Sequence, residues 1–291
     1  MDKNTAKPLG EPARFRRLGA AGIEIKIRGK SLVVDPYFTR IPFWKIWTGG
    51  VTPNRAIIEQ CLPQAGYILV THSHFDHLMD VPVAIRHTEA VAFGSRNTCR
   101  ILKIQAIPPD HRIEIHAGEH LDLGELQVDV LQAPVHSPPG FRPGPVPPDL
   151  KPPLKARDYS TDDFYSFLIS VNNLRILHGV PLYPQKAARI DLWLPGMYLG
   201  AESREYAHWI GLIRSLRPKV IIPVHWDNFF RPLSRPEQPV LAPSGKILPP
   251  LRRWNISRMR SIIQKIDPQI KVLTLERMQE NDLTELITMV N

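Results

Sequence analysis

Polar and apolar positions that alternate over about four to eight residues mark half-buried strands, and short unbroken apolar runs mark strands covered on both faces. In the first half of the chain such runs fall at 23–29 (IEIKIRG), 31–35 (SLVVD), 66–70 (GYILV), 90–94 (AVAFG), 112–116 (RIEIH) and 125–133 (ELQVDVLQA). Helices are expected near 80–87 and 96–104. The second half repeats the theme, with strands at 165–171 (YSFLISV), 174–179 (LRILHG), 190–196 (IDLWLPG), 219–225 (KVIIPVH) and 270–275 (IKVLTL). Helices there are expected over 202–215 and 256–265. Two β-rich halves that each carry helices predict two sheets packed face to face with helices outside, an α+β architecture.

Two stretches break this pattern. SPPGFRPGPVPPDLKPP holds eight prolines between positions 138 and 153, and RPLSRPEQPVLAPSGKILPP holds six between 231 and 250. Proline lacks the amide proton that a helix interior or a central strand needs, so both are stiff loops. Each begins soon after a histidine, His136 and His225, and long loops inside compact domains tend to be lids or binding loops. The loop Ser137–Pro153 is therefore expected to shape a substrate entrance.

With 291 residues, 43% of them hydrophobic, the chain can bury one large core. A single domain over 1–291 is expected, with its core at about 13–229 and a loop, helix and strand extension over 230–291. No run of about 18 apolar residues suggests a transmembrane segment, and the polar opening MDKNTAKPLGEPARFRR lacks the apolar stretch of a secretory signal, so a cytoplasmic location is expected. Cys61 and Cys99 have neither metal-binding spacing nor a disulfide framework and read as buried, reduced thiols. The formal charge of +9 suits an anionic substrate, a nucleic acid or an acidic membrane surface. Basic residues gather in PARFRR, in LKAR and in LRRWNISRMR, where Arg252, Arg253, Arg258 and Arg260 are interleaved with Trp254. Neither a glycine-rich phosphate loop nor an RNA-binding aromatic motif accompanies them, which disfavours nucleic acid. A small-molecule or lipid-like, anionic substrate is the expected partner; the oligomeric state is not legible.

The densest chemistry is THSHFDHLMD, residues 71–80, directly behind the apolar run GYILV. His72, His74, Asp76 and His77 leave the end of a strand together. Imidazole nitrogens with one carboxylate suit a borderline cation, zinc first, with cobalt, iron or manganese also compatible. His136 in VHS and His225 in VHW each stand just past a further β run, where a metal ligand belongs.

The HxHxDH pattern resembles that of the metallo-β-lactamase superfamily of metal-dependent hydrolases, and LGAAGIEIKIRGKSLVVDPYF, APVHS, IDLWLPG and VIIPVHWDNF extend the resemblance over residues 17–229. The resemblance implies a four-layer αββα sandwich with the site at the rim of the sheets. It implies His72, His74 and His136 as ligands of one Zn2+ and Asp76, His77 and His225 as ligands of a second, with Mn2+ or Fe2+ as substitutes. Asp76 would also orient the catalytic water. The family's bridging aspartate is replaced by Val180 in RILHGVPLYP, so one or two metals per chain remain open. His178 is either an additional ligand or a strand histidine hydrogen-bonded near the rim. Asp80, Asp191 and Asp227 are candidates for fixing the imidazole tautomers.

Phe75 and the PVHWDNF stretch are most similar to the branch holding L-ascorbate-6-phosphate lactonase and the phospholipase-D-type enzymes of N-acyl-phosphatidylethanolamine. This similarity implies hydrolysis of an ester, lactone or phosphodiester, with Tyr198, Trp226, Phe229 and Phe230 lining the pocket. Two rival readings stand beside it, a ribonuclease Z-like nuclease and a catalytically lapsed scaffold that binds without turnover.

Overall fold

Side chains alternate across a strand, and the sequence uses that alternation to fill three separate apolar layers. The computed structural model describes residues 11–135, 141, 143–187, 189–196, 202–243, 251–253 and 255–288. The chain begins with β1 (Arg14–Gly19), β2 (Gly22–Ile27) and β3 (Lys30–Val34), then α1 (Arg55–Cys61) and β4 (Tyr67–Leu69). Next come α2 (Phe75–Leu78), α3 (Val81–Thr88), β5 (Val91–Gly94), α4 (Arg96–Ile104) and β6 (Arg112–Glu114). The second half holds β7 (His120–Asp122), β8 (Gln127–Gln132), β9 (Tyr165–Val171), β10 (Leu174–His178), β11 (Leu192–Leu194), α5 (Glu202–Leu216) and β12 (Val220–Ile221). After these follow β13 (Leu241–Pro243), β14 (Leu251–Arg253), α6 (Ile256–Ile266), β15 (Lys271–Val272), β16 (Glu280–Asp282) and α7 (Leu283–Thr288).

One seven-stranded sheet has the order β16-β1-β2-β3-β4-β5-β6, and the other β15-β12-β11-β10-β9-β8-β7. Each is antiparallel at one end and parallel at the other, β3 to β6 in the first and β10, β11, β12 and β15 in the second. Ile23, Ile25, Ile27, Leu32 and Val34 meet Tyr165, Phe167, Ile169, Leu192 and Leu194 between the sheets. The alternate residues face outward. Val33 and Ile68 pack under the helical layer that carries Ile58, Ala84, Ile85 and Leu102, while Leu177, Trp193 and Ile221 pack under Trp209, Ile213, Met259 and Ile263. The result is helix, sheet, sheet, helix.

Several boundaries differ from the sequence reading for identifiable reasons. The run 219–225 was expected to be one strand, but only Val220 and Ile221 form ladder pairs, because Pro223 has no amide proton and His225 turns into the left-handed region at φ 58°. β1 was not foreseen, since three arginines in RFRRLG disguise its alternation. The segment after residue 229 is woven into the body: β15 extends the second sheet beside β12, and β16 pairs with β1 in the first. Cys61 and Cys99 are free. Among the described residues no helix is long and apolar enough to cross a membrane.

Parallel pairing aligns the C-terminal ends of the strands at one rim, where open α/β sheets commonly hold ligands. Asp35 follows β3, His72 lies beyond β4, His178 closes β10 and His225 lies beyond β12.

Phe167 is fully buried between the sheets. We predict that Phe167→Ala lowers unfolding stability by about 3–5 kcal/mol through lost transfer energy and the cavity left behind. Urea unfolding followed by circular dichroism checks this, with the midpoint shifting at an unchanged slope.

Candidate metal centre

The segment that carries the histidines is fixed from beneath by one carboxylate. Asp35 accepts the Thr71 amide (2.8 Å), the Thr71 hydroxyl (2.5 Å) and His77 Nδ1–H (2.7 Å). A carboxylate only accepts, so the proton of His77 sits on Nδ1 and its Nε2 lone pair is left for a cation. The Thr71 hydroxyl, having given its proton to Asp35, accepts from His72 Nδ1 at 3.1 Å, which leaves His72 Nε2 as that residue's ligand atom. Asp35 thus sets two tautomers at once.

Two groups of ligand atoms result. Asp76, His77 and His225 bring ligand atoms within 4.8 Å of one another. Their edges are 3.1 Å (His225 Nε2 to Asp76 Oδ2), 3.3 Å (His225 Nε2 to His77 Nε2) and 3.6 Å (His77 Nε2 to Asp76 Oδ2). Ligands bound at about 2.0–2.1 Å in a tetrahedral zinc site lie roughly 3.3–3.4 Å apart, so this triangle fits such an ion. In the other group, His72 Nε2 and His74 Nδ1 approach to 2.9 Å, a separation that requires a proton or a cation between two imidazole nitrogens. His136, the third member expected there, lies outside the described residues.

Electrostatics put Asp76 in its ligating form but favour a protonated His77, so a cation bound at His77 Nε2 has to displace a proton. Burial alone would raise the Asp76 carboxyl, but the charge of His77 and the hydrogen bond from His225 overcome it and hold the group well below the usual carboxylate range. Burial opposes a charged His77, and Asp35 and Asp76 together raise its pKa nonetheless. His178 is pulled down by burial and stays neutral; its Nε2–H donates to the Ala21 carbonyl at 2.8 Å, Nδ1 has no hydrogen-bond partner, and the residue stands outside the three-donor group.

The His225 turn is held from the opposite side. His225 donates its amide to the Ala20 carbonyl (2.7 Å), and Asp227 accepts the Ala20 amide (2.9 Å) and Arg40 Nη1 (3.0 Å). Arg17, fully buried, lies 3.6 Å from Asp227, pairs with Glu237 and donates Nε–H to the Leu275 carbonyl. The second proline-rich loop and the C-terminal strands are thereby anchored behind the ligand.

Aromatic rings form the walls. Phe164 stacks on His72 at 4.2 Å, Phe141 meets His74 edge-on at 5.3 Å, and Phe229 meets His225 at 4.9 Å. Phe230 packs on Phe229 and Phe75. Of the four expected pocket residues, Phe229 and Phe230 are at the site; Trp226 instead lies under the Arg17 guanidinium at 5.3 Å and against the outer core, and Tyr198 is outside the described residues. Phe141 and the residues after it come from the first proline-rich loop, whose later part is pinned to α4 by Asn97 through Gly144 and Val146. Val180 packs against the apolar layer under α5 and α6.

The three candidate tautomer-fixing aspartates do other work. Asp80 accepts from the Phe38 amide and from the Thr39 amide and hydroxyl, tying down the loop after β3, and burial lifts its pKa to about 6 despite these bonds. Asp191 binds the Arg175 amide and Lys219. Asp227 secures the turn described above. Asp35, read in the sequence only as a strand end, is instead the carboxylate hydrogen-bonded to His77 Nδ1. The local signal that could have found it is a lone acid closing the strand beside GYILV.

Comparison with known proteins bears on the fold. Two structures superpose on nearly the whole chain: Igni18, a metallo hydrolase from Ignicoccus hospitalis (TM-score 0.56, 15% identity, 92% of this chain and 97% of the other), and the metallo-β-lactamase fold protein YhfI from Bacillus subtilis (TM-score 0.55, 10% identity, 93% and 99%). The chain has the metallo-β-lactamase fold. In sequence, it is 24% identical over 234 residues to a UPF0173 metal-dependent hydrolase from Caldivirga maquilingensis, covering 76% of this chain and 85% of that one. A UPF0173 metal-dependent hydrolase from Flavobacterium johnsoniae is 36% identical over 73 residues, which is 25% of this chain and 28% of that protein. No family model matches.

Because Asp35 fixes the His77 tautomer, we predict that Asp35→Asn weakens metal binding by roughly 10–100-fold. Competition with a chromogenic chelator measures the affinity, and an unchanged far-ultraviolet spectrum separates this loss from unfolding.

Proposed function

We propose that the protein is a metal-dependent hydrolase that opens an ester, lactone or phosphodiester bond, with zinc as the first candidate metal and Mn2+ or Fe2+ as substitutes. The observation that carries this reading is the Asp76–His77–His225 triangle, whose three edges suit a tetrahedral cation and whose imidazole tautomer is fixed at His77. A divalent ion bound there supplies a Lewis acid and makes a coordinated water acidic near neutral pH.

The chain's own groups supply the rest. Asp76 is ionised, and besides ligating it would orient an attacking water by accepting a hydrogen bond from it. The rings of Phe141, Phe164 and Phe229 exclude bulk water around the imidazoles, which strengthens every electrostatic contact inside. His72, His74 and His136 are proposed to form a second site. With Val180 directed into the outer core, a carboxylate bridge does not come from that position.

The similar proteins from Caldivirga and Ignicoccus, named as metal-dependent or metallo hydrolases, support the reaction class. The aromatic walls favour a substrate with an apolar part, and the positive chain an anionic one.

Metal-loaded protein assayed on chromogenic esters, lactones and phosphodiesters tests the reading. We predict turnover on at least one class, its loss on chelation, its return on adding zinc or manganese, and a fall of at least about 100-fold in kcat for Asp76→Asn. Bound metal without turnover on any of them would instead support a ligand-binding scaffold, and cleavage confined to RNA would support the nuclease reading.

A further inference from the structure

The loop after β3 carries an exposed apolar surface that the site does not use. Residues 43–46 form a single 3-10 turn, and from it and its C-cap Phe43, Trp44 and Trp47 reach into solvent at 60%, 57% and 64% exposure. Among the described residues these are the exposed phenylalanine and tryptophan side chains; the others are buried or half-buried. Ile46 anchors the turn in the core, so the three outer rings are displayed on a fixed base. Large aromatics held in water in this way mark a contact surface.

The charge around the turn indicates what it contacts. Of the basic residues in the span 36–58, Arg40 is buried against Asp227 and Arg55 pairs with Glu59, which leaves Lys45 as the basic side chain on the turn itself. The turn packs beside a second 3-10 turn, Ala156–Asp158, and Val51 donates its amide to the Leu154 carbonyl at 2.7 Å. That neighbouring segment exposes Lys151, Lys155 and Arg157. Lys45 lies over the Trp44 ring at 5.2 Å. Tryptophan with its polar N–H favours the headgroup level of a bilayer, and lysine and arginine there meet lipid phosphates.

We propose that this face, Phe43, Trp44 and Trp47 ringed by Lys45, Lys151, Lys155 and Arg157, docks the protein on bilayers that carry anionic headgroups. A second copy of the chain is a poorer occupant, because a two-fold contact would set these basic groups against their own copies on a molecule of charge +9. The face also communicates with the metal centre. Phe43 meets Phe230 edge-on at 5.1 Å, Phe230 meets Phe229 at 4.5 Å, and Phe229 meets His225. One continuous row of packed aromatic rings therefore joins this face to the rim. Docking itself needs neither metal nor turnover, so it stands apart from the hydrolytic reading.

Co-sedimentation with large vesicles of phosphatidylcholine, alone or mixed with phosphatidylglycerol, tests the proposal on the full chain. The expected result is binding to the mixed vesicles with a blue shift of tryptophan emission. Trp44→Ser with Trp47→Ser should weaken partitioning at least about tenfold without changing the melting temperature, since both rings are already in water. Lys151→Glu with Lys155→Glu should cut binding to mixed vesicles by about fivefold or more per residue and leave binding to phosphatidylcholine alone unchanged. The proposal is overturned if the wild type stays in the supernatant with both vesicles, or if the tryptophan variant binds as well as the wild type. It is equally overturned if light scattering shows a dimer that the tryptophan variant abolishes, or if Trp44 and Trp47 emission is shielded from acrylamide before vesicles are added.

Discussion

Asp35 is the point on which both the fold and the site rest. It is fully buried, it sits in the left-handed region at φ 46°, and it spends its carboxylate on Thr71 and His77. A non-glycine residue in that conformation costs on the order of 1–3 kcal/mol and persists only where its surroundings over-determine it. Here the surroundings are the parallel pairing of β3 with β4, continued by the Asp35 amide on the Leu69 carbonyl, and the donors converging on the side chain. Removing the acid would leave Thr71 and His77 with unmatched donors, free the imidazole to flip its tautomer, and relax the strand end that carries the ligands.

A similar arrangement governs the other wall. His225 is also left-handed, and it is held by Ala20 and Asp227 against the buried arginines Arg17 and Arg40. Burying these charges is costly, and apolar packing would be at least as stable. What the ions provide that apolar packing cannot is direction: Asp227 fixes the Ala20 turn by its amide, and that same turn accepts the His225 amide. The first and last thirds of the chain are thus joined behind one ligand. The two strained residues lie on opposite sheets, and the interior between the sheets, filled by the isoleucines of β2 and the aromatic and aliphatic residues of β9, sets the spacing between them.

Much of this was legible in order along the chain, because local pattern dictates local structure. The period-two runs at 23–29, 165–171 and 174–179 are strands close to the expected bounds, and α4 matches its expected span with Ser95 as its N-cap. The HxHxDH cluster is legible for the same reason, being four side chains of metal-binding type within six residues. What escaped depends on partners distant in sequence. Asp35 and His77 are 42 residues apart and Arg17 and Glu237 are 220 apart, so neither pairing leaves a local trace. β1 is masked by three arginines, of which Arg17 is buried against Asp227 and Glu237 from the far end of the chain, while Arg16 pairs with Glu24 and Arg14 stays exposed beside Asp282. Trp226 adjoins a ligand in sequence, yet a left-handed residue before it turns its ring toward Arg17.

The distribution of polarity at the rim restricts what can bind. Hydrogen-bonding and ligating atoms are concentrated on the floor, on His72, His74, Asp76, His77 and His225, while Phe141, Phe164, Phe229 and Phe230 supply the walls. A polynucleotide needs polar contacts spaced along its backbone and platforms for successive bases. Rings clustered around the imidazoles and on one another are not spaced along a strand and serve that poorly. A molecule with one polar, reactive group and an apolar remainder satisfies both zones: the group meets the floor, and the remainder replaces water against the rings at about 25 cal/mol per Å2 of apolar surface removed from solvent. Under the proposed reading, selectivity for such a substrate would lie in the walls more than in the floor. The walls are drawn largely from the residues before Tyr165 and after His225, the segments in which the two proline-rich loops depart from regular structure.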